Sequence, residues 1–233
     1  MYLYRCTQHE FIKEHIMPQN ESDVIILKPT SAFLTFLGAQ FPDLEVPDKA
    51  AVHRDTTAYT LKKQDTDLLM LDEIERHFPQ MFRHEVRRIL GDNIPHDLDV
   101  SFLDFLCCFK FELHSQVVLM ESEVDLGQHV LCVKPRSLLL NRMKTYASDS
   151  SELTAVLEKI NLNQLTDNAT VVIKNFSKWP DVQPFVNHYY RALFKAEMFR
   201  LSDYTEQWPD VDSCQEFNRY FSVELHTQLV HLH

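Results

Sequence analysis

Parts of this chain are written twice. VIILKPTSAFL at 24–34 is echoed by VLCVKPRSLLL at 130–140, and FELHSQVV at 111–118 by VELHTQLV at 223–230. Each member of the first pair is a β-branched apolar run ended by Lys-Pro, then Thr-Ser or Arg-Ser at a helix start. That order reads as buried strand, turn and capped helix. The two echoes keep nearly the same separation, so one α+β unit could be used twice. Strand, turn and cap chemistry also recurs by itself, so the echoes do not alone require a repeat. A repeat would divide the chain near Gly127, into a helical domain over 1–126 with one short strand and an α+β domain over 127–233. A third echo, WPDV at 179–182 and 208–211, precedes each of two expected C-terminal helices. Pro and Asp suit a first helical turn, where N–H groups lack partners and negative charge is favoured.

The fold class expected is α+β, mostly helical, with a small antiparallel sheet of short strands from 24–28, 130–134 and 170–174. Ala32–Leu37 reads as a short helix closed by Gly38, and 41–49, with Pro42 and Pro47, as a loop. Residues 51–62 are ambiguous, with Thr56, Thr57, Tyr59 and Thr60 suggesting extended chain. Leu68, Leu71, Ile74 and Phe78 recur at helical spacing, with a break at Pro79 and a second piece running to Gly91. Capped by Asp99 or Ser101, FLDFLCCFKFELHSQVVLM reads as one central core helix with Phe102, Phe105, Phe109, Leu113 and Val117 on its apolar face. A small helix is expected over Leu153–Ile160.

Composition narrows the function classes. The chain of 233 residues has three glycines, Gly38, Gly91 and Gly127, too dispersed for any glycine-built phosphate loop. A formal charge of −11 argues against a nucleic-acid-coating surface and favours a basic peptide or protein partner. Five cysteines with no C-x-x-C suit reduced thiols in a cytoplasm. Charges interrupt the first twenty residues, so no signal peptide is expected there, and no apolar run approaches the roughly 18 residues of a membrane span.

Catalytic patterns are weak. His84-Glu85 continues as Val86-Arg87-Arg88 and makes no H-E-x-x-H, and the twelve histidines show no ligand spacing. Glu112-x-His114 and Glu224-x-His226, read as helical, point apart and cannot hold one ion. Cys107-Cys108 lies among phenylalanines, where thiols are core groups. No catalytic and no metal-binding residue is assigned, and a binding or adaptor protein is expected.

The order of elements from about Asp97 to Leu201 resembles a known group. It has an aromatic helix with F-E-L-H near its end, a strand ending in Lys134-Pro135, the run SLLLNRMKTY at 137–146, then TVVIKN at 170–175 and a helix. This is similar to the C-terminal half of the partner subunits of multinuclear non-haem iron oxidative enzymes, those of methanobactin biosynthesis among them. The resemblance implies a heterodimer with a larger iron-binding catalytic subunit, no cofactor held by this chain, and capture of a ribosomal precursor peptide by its leader. The complex would oxidise peptide cysteine to an oxazolone and a thioamide on the route to a copper chelator. The alternative is a small acidic adaptor or chaperone of a bacterial type IV secretion coupling complex. A metal hydrolase built from scattered histidines ranks last.

An extended leader can add to a sheet edge through main-chain hydrogen bonds. The edge expected is Val171, Val172, Ile173, Lys174 and Asn175, with Lys134 and Arg136 beside it. Their side chains could equally be buried sheet core. Tyr189, Tyr190, Phe194 and Trp208 are the candidate partner interface, because aromatics are enriched there. The other reading for these four is core.

Overall fold

The computed structural model describes residues 22–53, 56–92, 94–95, 98–119, 128–147, 159–176, 179–202, 205 and 208–232. Two compact units emerge. The first comprises Glu21–Leu113 with His226–His233, and the second includes His114–Leu225. Neither follows chain order, so a single cut near Gly127, which lies outside the described residues, separates neither of them.

In the first unit, β1 (Ser22–Pro29) leads to α1 (Ser31–Gln40) and a single turn, α2 (Lys49–Val52). Then follow β2 (Ala58–Lys62), the long α3 (Asp67–Leu90), α4 (Phe102–Cys108) and β3 (Phe109–His114). The second unit opens with β4 (Val117–Leu119), β5 (His129–Pro135), α5 (Ser137–Ala147), α6 (Leu162–Thr166) and β6 (Thr170–Lys174). A 3-10 turn at Trp179–Asp181 runs into α7 (Val182–Leu201), then α8 (Cys214–Tyr220) and β7 (Phe221–His226). The last strand, β8 (Leu229–His231), returns to the first unit.

The sheets have orders β3-β1-β2-β8 and β7-β5-β6-β4. Each is mixed: β1 with β2 and β5 with β6 are antiparallel, whereas β2 with β8 and β4 with β6 are parallel. This corrects the expectation of one antiparallel sheet, because 24–28 and 130–134 belong to different sheets. The α+β class stands.

The two units are built alike, with one exchange. Position by position, β3 corresponds to β7, β1 to β5, β2 to β6 and β8 to β4. After β3 the chain passes through Ser115-Gln116 and supplies β4 to the second sheet. After β7 it passes through Thr227-Gln228 and supplies β8 to the first. Equivalent bonds hold each arrangement. Thr30 N donates to Cys108 O at 2.8 Å, and Arg136 N to Tyr220 O at 2.8 Å. Ala58 N donates to Gln228 O at 2.9 Å, and Val171 N to Gln116 O at 3.0 Å. Lys28 pairs with Glu112, and Lys134 with Glu224.

Local chemistry accounts for the helices. Ser101 accepts from Asp104 N while the Asp104 carboxylate accepts from Ser101 N, a reciprocal cap of α4. Ser213 caps α8 in the same place by accepting from Glu216 N at 3.1 Å. Caps of this kind contribute about 0.5–2 kcal/mol each. The second WPDV thus lies ahead of the helix cap, whereas the first runs directly into α7. Gly38 does not close α1, which continues to Gln40.

Pro79 does not break α3. Its missing N–H would have served the Glu75 carbonyl, and both residues are exposed, so water can satisfy that group. Phe78 is meanwhile held against Phe102 and Phe105, with ring centroids 5.4 and 5.7 Å apart.

The expected central helix is mostly not helical. It stops at Cys108, and Phe109 begins a strand. Phe109, Phe111 and Leu113 alternate with Lys110, Glu112 and His114, a period of two that also fits the apolar spacing. VELHTQLV is likewise strand, not helix. The helix expected at Leu153–Ile160 lies almost wholly outside the described residues.

Each unit has its own core. In the first, Phe33 packs on Phe82 and Phe109 with centroids 5.5 and 4.5 Å apart, around Ile25, Leu27 and Phe105. In the second, Leu131, Val133, Val172 and Leu139 meet Phe194, Phe217 and Phe221.

Candidate functional site

The expected peptide edge is interior sheet. β6 has β4 on one side, with Val117 opposite Val171 and Val118 opposite Val172, and β5 on the other, with Leu131 opposite Val172. Val171, Val172 and Ile173 are buried in the core, so no edge is open on this strand. Lys174 is half-buried and Asn175 exposed. Lys134 is directed to Glu224, and Arg136 is exposed where its N–H closes the turn onto Tyr220.

The four aromatics proposed for a partner interface pack within the second unit. Phe194 is buried and meets Trp208 edge to face at 6.0 Å. Trp208 Nε1 donates to Ser202 O at 3.2 Å, and Tyr190 Oη donates to Asp212 O at 2.6 Å. Tyr189 lies against Phe185 at 4.7 Å. The half-buried Tyr189, Tyr190 and Trp208 join the core margin, while Trp179 remains two-thirds exposed at 66%.

Buried polar groups gather where β2 or β6 meets the long helix of its unit. Glu197 on α7 is fully buried. It accepts from Thr170 N at 2.8 Å and from Arg200, three residues on. Glu85 on α3 is also fully buried and accepts from Arg88 Nε at 2.9 Å and Nη2 at 2.8 Å. A carboxylate held by a guanidinium fork can be buried because its charge is both paired and hydrogen-bonded.

The first unit adds two groups to this motif. Tyr59 Oη donates to Glu85 Oε1 at 2.8 Å and lies 3.0 Å from His84 Nδ1. With the phenol proton committed to Glu85, Nδ1 of His84 must be the donor to Tyr59. Burial, with the charge of Glu85, holds the Tyr59 phenol well above its ordinary range. Burial also lowers His84. The arrangement is a line of hydrogen bonds from a half-buried imidazole through a phenol to a buried ion pair. Val172 and Ala196 occupy the corresponding places in the second unit.

Two buried histidines mark the crossings. His114 Nδ1 lies 2.9 Å from Ala169 O, and His226 Nδ1 lies 3.1 Å from Thr56 O. Each imidazole ties the start of an exchanged segment to the loop that enters the central strand. As strand residues, Glu112 and His114 share a face, but each engages a separate partner, so the helical reading of this spacing is replaced. Sequence reasoning missed Tyr59, Glu85, Arg88, Glu197 and Arg200 as a set. The one visible signal was the shared Glu-x-x-Arg of EVRR and EMFR.

The thiols divide by exposure. Cys107 is exposed. Cys108 is buried, and desolvation pushes its thiol up to about 11, which leaves it inert at neutral pH. Among the described residues no group of three His, Cys, Asp or Glu side chains could hold a metal ion. Among the same residues no helix is long and apolar enough to cross a membrane. Compared with known proteins, the chain matches no family model, no curated protein and no solved structure.

Proposed function

We propose that this chain is a non-catalytic partner subunit that binds a larger iron-dependent oxidative enzyme and presents a ribosomal precursor peptide to it. One observation carries the non-catalytic part. Among the described residues, four buried groups of the kind an enzyme would direct at a substrate are directed at the protein itself. Glu85 and Glu197 hold arginines of their own helices, and His114 and His226 hold backbone carbonyls. The resemblance of the 97–201 region supplies the finer reading: iron in the partner, a leader captured here, and cysteine oxidised in the peptide core.

The leader would add to an outer strand. Among the described residues β3 has a neighbour on one side only, β1, and it exposes Lys110 and Phe111. A net charge of −11 favours a Lys/Arg-rich leader by steering its approach. Trp179 and Phe199 are exposed aromatics of the second unit and suit a protein interface.

Co-expression with the candidate iron enzyme, then size exclusion with peptide titration, tests this. The expected result is a one-to-one complex that retains the peptide and loses it in Phe111→Asp. Turnover of a substrate by the purified chain alone, or failure to retain both enzyme and peptide, would discard the proposal.

A further inference from the structure

We infer that the outer edge of β3 selects an extended peptide that sets an acidic residue beside Lys110 and apolar residues beside Phe111 and Leu113. This rests on the reading above, that a peptide adds to β3, and specifies which peptide. In an extended chain the N–H and C=O of one residue point the same way, and those of the next residue point opposite. Cys108 O faces β1, where it accepts from Thr30 N, and Phe109 N is turned back to Phe105 O. The main-chain groups of Phe111 and Leu113 are therefore turned away from β1, and among the described residues no strand lies on that side. An arriving strand would bond to those two residues.

The second unit shows what the shared plan requires here. β7 is the equivalent strand and is likewise outermost in its sheet. Where β3 exposes Lys110 and Phe111, β7 carries Ser222 and Val223, both half-buried. The helices ahead of the two strands differ in the same sense. α4 exposes Leu103, at 73%, and Cys107, whereas α8 has Gln215 and Arg219 in those places. Neither an apolar surface nor an edge cation is thus demanded by the fold. An edge lysine alone discourages pairing with any strand. Beside an exposed phenylalanine it instead sets the chemistry of the strand that can pair.

Charge decides that chemistry. Lys110 and Glu112 share one face of β3, and Phe111 and Leu113 share the other. Glu112 is held by Lys28 at 2.7 Å, so this face carries two lysines against one carboxylate. An arriving strand would meet Lys110 with Asp or Glu and lay two apolar residues beside Phe111 and Leu113. Antiparallel to β3, its order is apolar-x-apolar-acid; parallel to β3, it is acid-apolar-x-apolar. The Lys/Arg residues favoured by the total charge belong outside this stretch of the leader.

The test uses the full chain and three labelled peptides, read by fluorescence anisotropy. SEVTVES contains both orders, SKVTVKS replaces its acids with lysine, and SESTSES removes its apolar pair. SEVTVES should bind about threefold more tightly than SKVTVKS, and Lys110→Glu should reverse that preference. SESTSES should bind about tenfold more weakly than SEVTVES, and Phe111→Val, which installs the residue of β7, should weaken SEVTVES about threefold. Equal affinity for SEVTVES and SKVTVKS, a preference unchanged by Lys110→Glu, or uptake of none of the three peptides overturns the inference. If Lys110→Glu does not fold, Lys110→Ser, again the residue of β7, should erase the preference, and its persistence overturns the inference. The iron enzyme and the precursor play no part in these measurements. A chain with the peptide preference that retains no enzyme loses the proposed function alone; one that retains enzyme and precursor without the preference loses this inference alone.

Discussion

The first unit carries a tyrosine and a histidine where the second carries a valine and an alanine, although the two share strand order, turns, caps and ion pairs. What both possess is what the architecture requires: the Lys–Glu pair closing the β1 or β5 turn, the buried Glu–Arg step, and the imidazole at the crossing. What only one possesses is free to differ. Tyr59 and His84 belong to that second class, so the line of hydrogen bonds they form is an addition to the shared plan.

The largest expected effects test whether the units are as coupled as their exchanged strands imply. Phe105→Ala and Phe217→Ala empty equivalent, fully buried positions and should each cost about 3–5 kcal/mol. Trp179 and Trp208 both lie in the second unit, so tryptophan fluorescence in urea reports on that unit. Phe105→Ala should nevertheless lower the fluorescence midpoint; an unchanged midpoint would mean that the units melt separately.

Tyr59→Phe removes a hydrogen bond to a buried carboxylate and should cost about 1.5–3 kcal/mol. A cost near zero by circular dichroism would make the addition energetically idle. Lys28→Met and Lys134→Met remove matched, partly exposed ion pairs and should each cost about 0.2–1 kcal/mol. Unequal losses in denaturant would show that the match is geometric only.

The smallest effect is a pH dependence confined to the first unit. Burial holds His84 below its usual 6.5, so the unfolded chain takes up the proton first as pH falls. Stability is full above 6.5, declines as pH drops toward the lower folded value, and levels off beneath it. His84→Gln should flatten that part of the stability–pH curve, and an unchanged curve would remove His84 as its source.

Much of this architecture was readable from the chain. β1, β5 and β6 stood out because β-branched runs end at Lys-Pro or enter polar turns, and α3 because its apolar residues keep helical spacing. FKFELH did not, because Phe109 and Leu113 satisfy a four-residue helical step while Phe109, Phe111 and Leu113 satisfy a two-residue strand step. Packing of Phe109 on Phe33 and pairing of β3 with β1 decide between them, and both depend on residues distant in sequence. The same blindness misplaced the peptide edge. Val171–Ile173 looks the same at an edge as in the middle of a sheet, and only β4, more than fifty residues earlier, covers its open side. The polar network was hidden for a related reason, since Tyr59 and Glu85 meet across separate elements.

The crossing of strands also sets an order of assembly during synthesis. The sheet begun by β1 and β2 waits for β8, which leaves the ribosome only after every element of the second unit has been made. The second sheet is complete once β7 has been made, just ahead of β8, because β4 precedes β5, β6 and β7. The half translated later can therefore be the first to finish, and a stalled or truncated nascent chain would leave the early half with one edge of β2 open, to be shielded from aggregation.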